Sequence, residues 1–288
     1  MIEDVFLGKR ENYNFKLSIL SQMAESEKWT YAKVRKIDPF RILRNYFEFT
    51  YNRLEDENKL LHSADDQYLC MNTGLLTVYN QEIVALFARY KGHWDKKWFL
   101  VGFYKASDSK VTGIFDHIPE IADYSKDVKE LIYDRNLEII VQKEHIIDDN
   151  YQRFVNVGYA DKNLINILLD AAIDTAKIKL ARNFKLALPF YYHNGETGEN
   201  KIQLLIPLYF PGASVKLALV LDRVTQDRGA HYEGITILPV EWAYMNSRVI
   251  VRPEEEWARI IDEIDIMEDD IQTEHQTENI EKDIDNND

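Results

Sequence analysis

Cysteine is nearly absent: Cys70 is the only one in 288 residues. No intrachain disulfide can form, and a zinc site built on cysteines is excluded. A reducing compartment fits this usage, and the cytoplasm is the expected location. Long apolar runs are also missing. None approaches the roughly 18 residues of a membrane helix, and the N-terminus "MIEDVFLGKRENYNF" has neither the basic start nor the apolar stretch of a secretory signal. The chain is expected to be soluble, with no membrane partner. The 11 glycines are scattered and form neither GxxxxGK[ST] nor GxGxxG. HExxH and GxSxG are absent, and the seven histidines are isolated from one another, so no metal site is read. These absences remove the easily read enzyme classes and leave any cofactor unspecified.

A balanced body and an acidic end are what remain. The formal net charge is −14. From Glu254 to Asp288 there are 15 acids and two bases, Arg259 and Lys282, which leaves 34 acids and 33 bases in residues 1–253. The acidity belongs to the tail, so an overall pI of 5.0 says nothing against an anionic partner for the body.

Hydrophobic spacing outlines the elements. Residues 14–26 read as an N-terminal helix. Asp38-Pro39 opens a second, with Asp as N-cap and Pro at the first turn; Phe40, Leu43, Phe47, Thr50 and Leu54 share one face to about Lys59. Strands are expected at 67–71, 74–79, 82–90 and 97–104. A short helix near 126–133 and a strand in "EIIVQ" follow. Asp161 opens the longest helix, with Leu164, Ile167, Leu168, Ala171, Ala172 and Ile178 as its apolar side. Four strands come next, at 185–193, 200–209, 215–223 and 231–238. "HNGETGE" turns between the first two, and short turns imply an antiparallel meander. Pro239 begins a last helix, and beyond Met267 the composition predicts disorder. Helices and strands are segregated, which is an α+β pattern without a visible internal repeat.

Three stretches carry chemistry-bearing side chains. "EKWTYAKVRKIDPFRILRNYF" interleaves bases with aromatics, which suits a solvated helix face with the rings packed inward or, as the alternative, single-stranded nucleic acid. Arg182, Lys185, Arg223, Tyr244, Asn246 and Arg248 fall at helix and strand ends. There they could converge on an anion, or pair with Asp222, Glu233 or Glu241. Asn72-Thr73-Gly74 stands between two apolar runs as a turn or as a polar hook for a ligand.

Several stretches together resemble a domain of unknown function catalogued under the number 3825. The matching pieces are "ILRNYFEFTYNRLEDENK", "CMNTGLLTVYNQEIVALF", "HIIDDNYQRF", "LARNFKLALPFYY", "IQLLIPLYF", "LALVLDR" and "YEGITILPVEWAYMNSRVIVRPEEEW". The resemblance implies one domain over residues 28–258, preceded by a helical extension (1–27) and followed by the acidic tail (259–288). It also implies an RNA-associated context and no particular reaction. Asn72, Thr73, Arg182, Lys185, Arg223, Tyr244, Asn246 and Arg248 fall inside the resembling stretches, which groups them as one candidate site.

The expectation is therefore an α+β domain that binds RNA or a nucleotide through a cationic pocket formed by these eight residues. If chemistry follows, phosphodiester or nucleotide hydrolysis is its natural class. The rival is a protein-interaction module whose acidic tail meets a basic partner.

Overall fold

The computed structural model describes residues 2, 4–31, 36–92, 95–125, 127–193, 200–210, 215–226, 229–254 and 256–262. The "NGETGE" turn and the acidic stretch from 263 lie outside the described residues. The architecture is α+β, as the segregated pattern predicts, and its contacts divide it into two compact units: Met1–Thr30 with Val34–Tyr124, and Tyr31–Lys33 with Ser125–Asp288. The single stretch 28–258 drawn from the sequence thus spans two units, each with its own sheet.

The first unit runs β1 (Val5–Phe6), α1 (Arg10–Met23), α2 (Arg41–Asp56), β2 (Leu61–His62), β3 (Tyr68–Leu76), β4 (Glu82–Arg89), β5 (Trp98–Lys105) and α3 (Ser109–Thr112). Its sheet is ordered β1-β5-β4-β3-β2, antiparallel except for β1 beside β5. The N-terminal helix is no separate extension: α1 packs on β5 and α2, with Leu17 and Leu20 fully buried. α2 starts at Arg41, later than expected, because Asp38 does not cap it. The Asp38 carboxylate instead pairs with Arg44 Nε at 3.1 Å. The predicted face is the buried one, with Leu43, Phe47, Thr50 and Leu54 joined by Ile42, Tyr46 and Tyr51. Trp29 and Tyr46 are buried and lie ring to ring at 6.3 Å, so these aromatics of the 27–47 stretch pack inward.

The second unit runs α4 (Val128–Leu131), β6 (Ile139–Val141), α5 (Lys143–Asp149), α6 (Tyr151–Asn156), α7 (Lys162–Leu180), a 3-10 turn (Phe184–Leu186), β7 (Leu188–His193), β8 (Asn200–Leu208), β9 (Leu217–Gln226), β10 (Gly229–Pro239) and α8 (Val240–Ser247). Residues 256–262 form a further helical segment. The expected four-stranded meander is present, and β6 adds to it parallel to β10. Asp161 caps α7 by accepting from Asn163 N at 2.8 Å and Leu164 N at 3.2 Å. The helix buries Ile165, Leu169, Ala172, Ile173, Ala176 and Leu180 against alternate residues of β8 and β9, among them Leu204, Ile206, Leu219 and Leu221. Each fully buried Leu or Ile contributes about 1.5–3 kcal/mol. Leu164, Ile167 and Ile178, expected on the inner face, are exposed. Apolar residues surround this helix, and spacing alone does not select which side meets the sheet.

The two units share one plan. In each, a strand, then helices, then a four-stranded meander build a sheet whose first strand pairs parallel with the last. The likeness extends to register. Arg89 faces Trp98, and Val5 flanks Trp98; Arg223 faces Tyr232, and Ile139 flanks Tyr232. The offset is constant (223 less 89 and 232 less 98 are both 134). Both hairpins carry the same irregularity two residues inward: the partner of Leu86 skips to Gly102, and the partner of Val220 skips to Thr236. A bulge re-aims the side chains of its strand, so its repetition marks one fold used twice.

Candidate functional site

Asn72 and Thr73 lie in the first unit and are committed within it. Asn72-Thr73-Gly74 is no turn between strands but an irregularity inside β3, where the register shifts between Asn72 and Leu76. Asn72 Nδ2 donates to Pro119 O at 3.0 Å and Glu82 Oε1 at 3.2 Å, while its Oδ1 accepts from Gly74 N at 3.0 Å. Thr73 Oγ1 donates to Ile83 O at 2.6 Å and accepts from Leu75 N at 3.2 Å. Both side chains are buried, and these bonds satisfy groups that burial would otherwise penalise.

The other six residues belong to the second unit, and two of them meet. Arg182, past the end of α7, and Arg223, on β9, line one cavity of about 550 Å³. Lys185 stands elsewhere, paired with Glu254 at 3.0 Å. Tyr244 and Asn246 on α8, with Arg248 just after it, do not line this cavity. Tyr244 and Arg248 are buried and engaged within the fold.

Most of the remaining lining comes from residues 128–136, where a short helix is expected and α4 forms. α4 contributes Val128 and Lys129; the following loop contributes Ile132, Tyr133, Asp134, Arg135 and Asn136; and Phe184 comes from the 3-10 turn. The cavity thus collects four cations, Lys129, Arg135, Arg182 and Arg223, against one carboxylate, Asp134. Asp134 is occupied by its own turn, accepting from Asn136 N at 3.0 Å and Asn136 Nδ2 at 2.9 Å. Among the described residues none of the four cations has a carboxylate within ion-pair distance. Asp222 pairs with Lys201, and Glu233 with His231 at 3.2 Å. The end of α7 that borders the cavity is its carbonyl end, which repels anions; Arg182 Nη1 covers Ile178 O at 2.7 Å. The positive sign of the site therefore comes from side chains.

Arg223 is placed by the sheet. Leu219 and Leu221 point into the core beneath α7, and the alternation of the strand puts Arg223 on that same side. Its Nη1 donates to Lys129 O at 3.1 Å, and its Nε is buried without a hydrogen-bond partner. Beneath it, Tyr133 stacks on Tyr232 at 5.2 Å, and the Tyr232 hydroxyl accepts from Asp134 N at 2.9 Å. Burial pushes the Tyr133 hydroxyl up to about 12, so it adds no negative charge near neutral pH. Phe184, Ile132 and Val128 remain exposed on the rim. A second hollow of about 380 Å³ adjoins through Lys129 and Arg223, and its lining also holds Asp127, Glu130 and Asp222.

Lys129, Tyr133, Arg135 and Phe184 were not among the residues singled out from the sequence. The signal was there in "KELIYDRN", where cations and an aromatic flank an Asp that bonds its own turn. Among the described residues no cluster of three or more His, Cys, Asp or Glu could hold a metal ion, and no helix is long and apolar enough to cross a membrane.

A family model described as "Domain of unknown function (DUF3825)" matches residues 20–257. No curated protein and no solved structure matches the chain.

Proposed function

The chain belongs to that family, whose description assigns no activity, and we propose that its second unit binds a phosphate-bearing ligand of the nucleotide class, RNA included. The observation that carries this reading is Arg223, a partly buried cation whose Nε lacks an acceptor and whose neighbours in the cavity are three more cations without carboxylate partners. Burying an unpaired charge is costly. A phosphate offsets that cost, because its oxygens accept from planar guanidinium forks and its charge answers several cations at once. The volume suits one small ligand. Phe184, Ile132 and Val128 on the rim give a base an apolar surface to lie against. The lining offers positioned cations and no carboxylate free of its own turn, so binding is better supported than hydrolysis.

The test is titration of the full chain with adenosine monophosphate, adenosine triphosphate and a short single-stranded RNA at several salt concentrations. Binding should weaken steeply as salt rises, and Arg135→Ala and Arg182→Ala should each reduce it several-fold. Absence of binding to all three at low salt, or wild-type affinity in both variants, would overturn the reading.

A further inference from the structure

The repeated fold contains the arginine twice, and only one copy is answered from within the protein. In the first unit Arg89 lies over Trp98, its guanidinium carbon 4.4 Å from the ring centroid. Its Nε donates to Asp66 O at 3.0 Å and its Nη2 to the Asp66 carboxylate. Two oxygens of one residue thus fill the Nε–Nη2 edge. In the second unit Arg223 holds the same register position, opposite Tyr232. There Nη1 is used by Lys129 O, while Nε is buried without an acceptor and Nη2 has no bond to a described residue. The edge that Asp66 fills in one copy has no acceptor among the described residues in the other, and Arg223 lines the cavity that gathers Lys129, Arg135 and Arg182.

We infer that the ligand's phosphate takes, on the Nε–Nη2 edge of Arg223, the place that Asp66 takes on Arg89. This rests on the proposed nucleotide reading and deepens it. The seat is a two-oxygen fork, not a point of positive charge, so it selects a group presenting two acceptors in one plane. Nε is buried, so the guanidinium shifts to complete the seat as the ligand arrives. The first unit shows that this fold accommodates the paired geometry at this register. Lys129, Arg135 and Arg182 supply the rest of the charge and set attraction more than geometry.

The test compares conservative substitutions in the full chain, with adenosine monophosphate as the probe. A lysine keeps the charge and loses the fork. Arg223→Lys should therefore lose about as much affinity as Arg223→Ala, on the order of tenfold or more, while Arg135→Lys should stay within about threefold of wild type. Wild-type affinity in Arg223→Lys would overturn the fork and leave the nucleotide reading standing. No binding by the wild-type chain would remove both. A second measurement needs no variant: the Nε–H resonance of Arg223 should move downfield when adenosine monophosphate binds, and an unmoved resonance in the saturated protein would overturn the seat.

Discussion

The hydroxyl of Tyr46 on α2 donates a 2.6 Å hydrogen bond to the carbonyl oxygen of Thr73 on β3. That bond brings the ring oxygen onto the irregular part of the strand, where Gly74 has a φ of +71°. A methyl group on Gly74 would meet the Tyr46 oxygen at 2.7 Å, closer than atoms pack. Gly74→Ala therefore meets both a strained backbone and a clash, and should cost about 1–3 kcal/mol. Tyr46→Phe removes a buried bond and should cost about 1–2 kcal/mol. The double variant should cost less than the sum, because removing the hydroxyl relieves the clash. Urea unfolding followed by tryptophan fluorescence measures all three, and strict additivity would show that the two residues do not meet as described.

Asn72 is a stabilising residue of β3. Its side chain ties the strand to Pro119 and Glu82 and is 1% exposed. Asn72→Ala leaves buried groups without partners and should cost about 1–3 kcal/mol. Affinity for adenosine monophosphate should not change. A variant of normal stability that has lost binding would return Asn72 to the ligand site.

What the sequence made legible, and what it hid, follows from the kind of order involved. The meander could be read because "IQLLIPL" and "LALVL" are apolar runs of strand length, too short for a helix and bounded by polar turns. The inner face of α7 could not be, because Leu164, Ile167 and Ile178 are as apolar as the residues that pack. Asn72 and Gly74 imitate a turn, since both tolerate the backbone angles that a bulge also needs. The repeat is written in hydrogen-bond register and not in residue identity. Among the paired positions of β4–β5 and β9–β10, only Arg89 and Arg223 are the same residue. Of the eight site residues, Arg182 and Arg223 meet in one cavity. Their other cationic neighbours lie in the 128–136 segment, Lys129 on α4 and Arg135 in the loop after it.

Arg223 and Arg248 should respond oppositely to removal. Arg248 is 8% exposed and engaged within the fold, so Arg248→Ala should destabilise by about 2 kcal/mol or more. Arg223→Ala removes a cation with an unsatisfied buried nitrogen, and should leave thermal stability unchanged or raise it slightly. Thermal unfolding of the two variants separates them. Unfolding of Arg223→Ala well below wild type would make this arginine structural.

Glu57 gives the first unit an acid-sensitive tie. Burial alone would raise its carboxyl, but hydrogen bonds from Asp123 N, Lys59 and Arg53 outweigh burial and hold it below its ordinary value. A carboxylate with a lowered folded-state value contributes stability above its unfolded value, and loses it as pH falls through the folded one. Glu57→Gln should therefore be less stable than wild type at neutral pH, and the gap should narrow below about pH 4. Urea midpoints at several pH values test this, and a gap that stays constant on acidification would rule it out.

Trp257 anchors the helical segment 256–262 to the second unit and bears on its cavity. Its side chain is fully buried, and its Nε1 donates to Leu186 O at 2.9 Å. Ile260 and Ile261 are buried beside it in sequence, so packed structure continues past residue 258, where the family resemblance places the domain's end. Leu186 closes the 3-10 turn that begins at Phe184, and Phe184 stands on the cavity rim. Trp257→Phe keeps most of the volume and strands the Leu186 carbonyl, at a cost of about 1–2 kcal/mol. Trp257→Ala opens a large void and should cost about 3–5 kcal/mol. Because the same turn carries Phe184, affinity for adenosine monophosphate should fall in Trp257→Ala even where the protein remains folded. A chain ending at residue 255 should lose stability at least as severely as Trp257→Ala. Wild-type stability in that shortened chain, measured by thermal unfolding, would show that the segment does not belong to the fold.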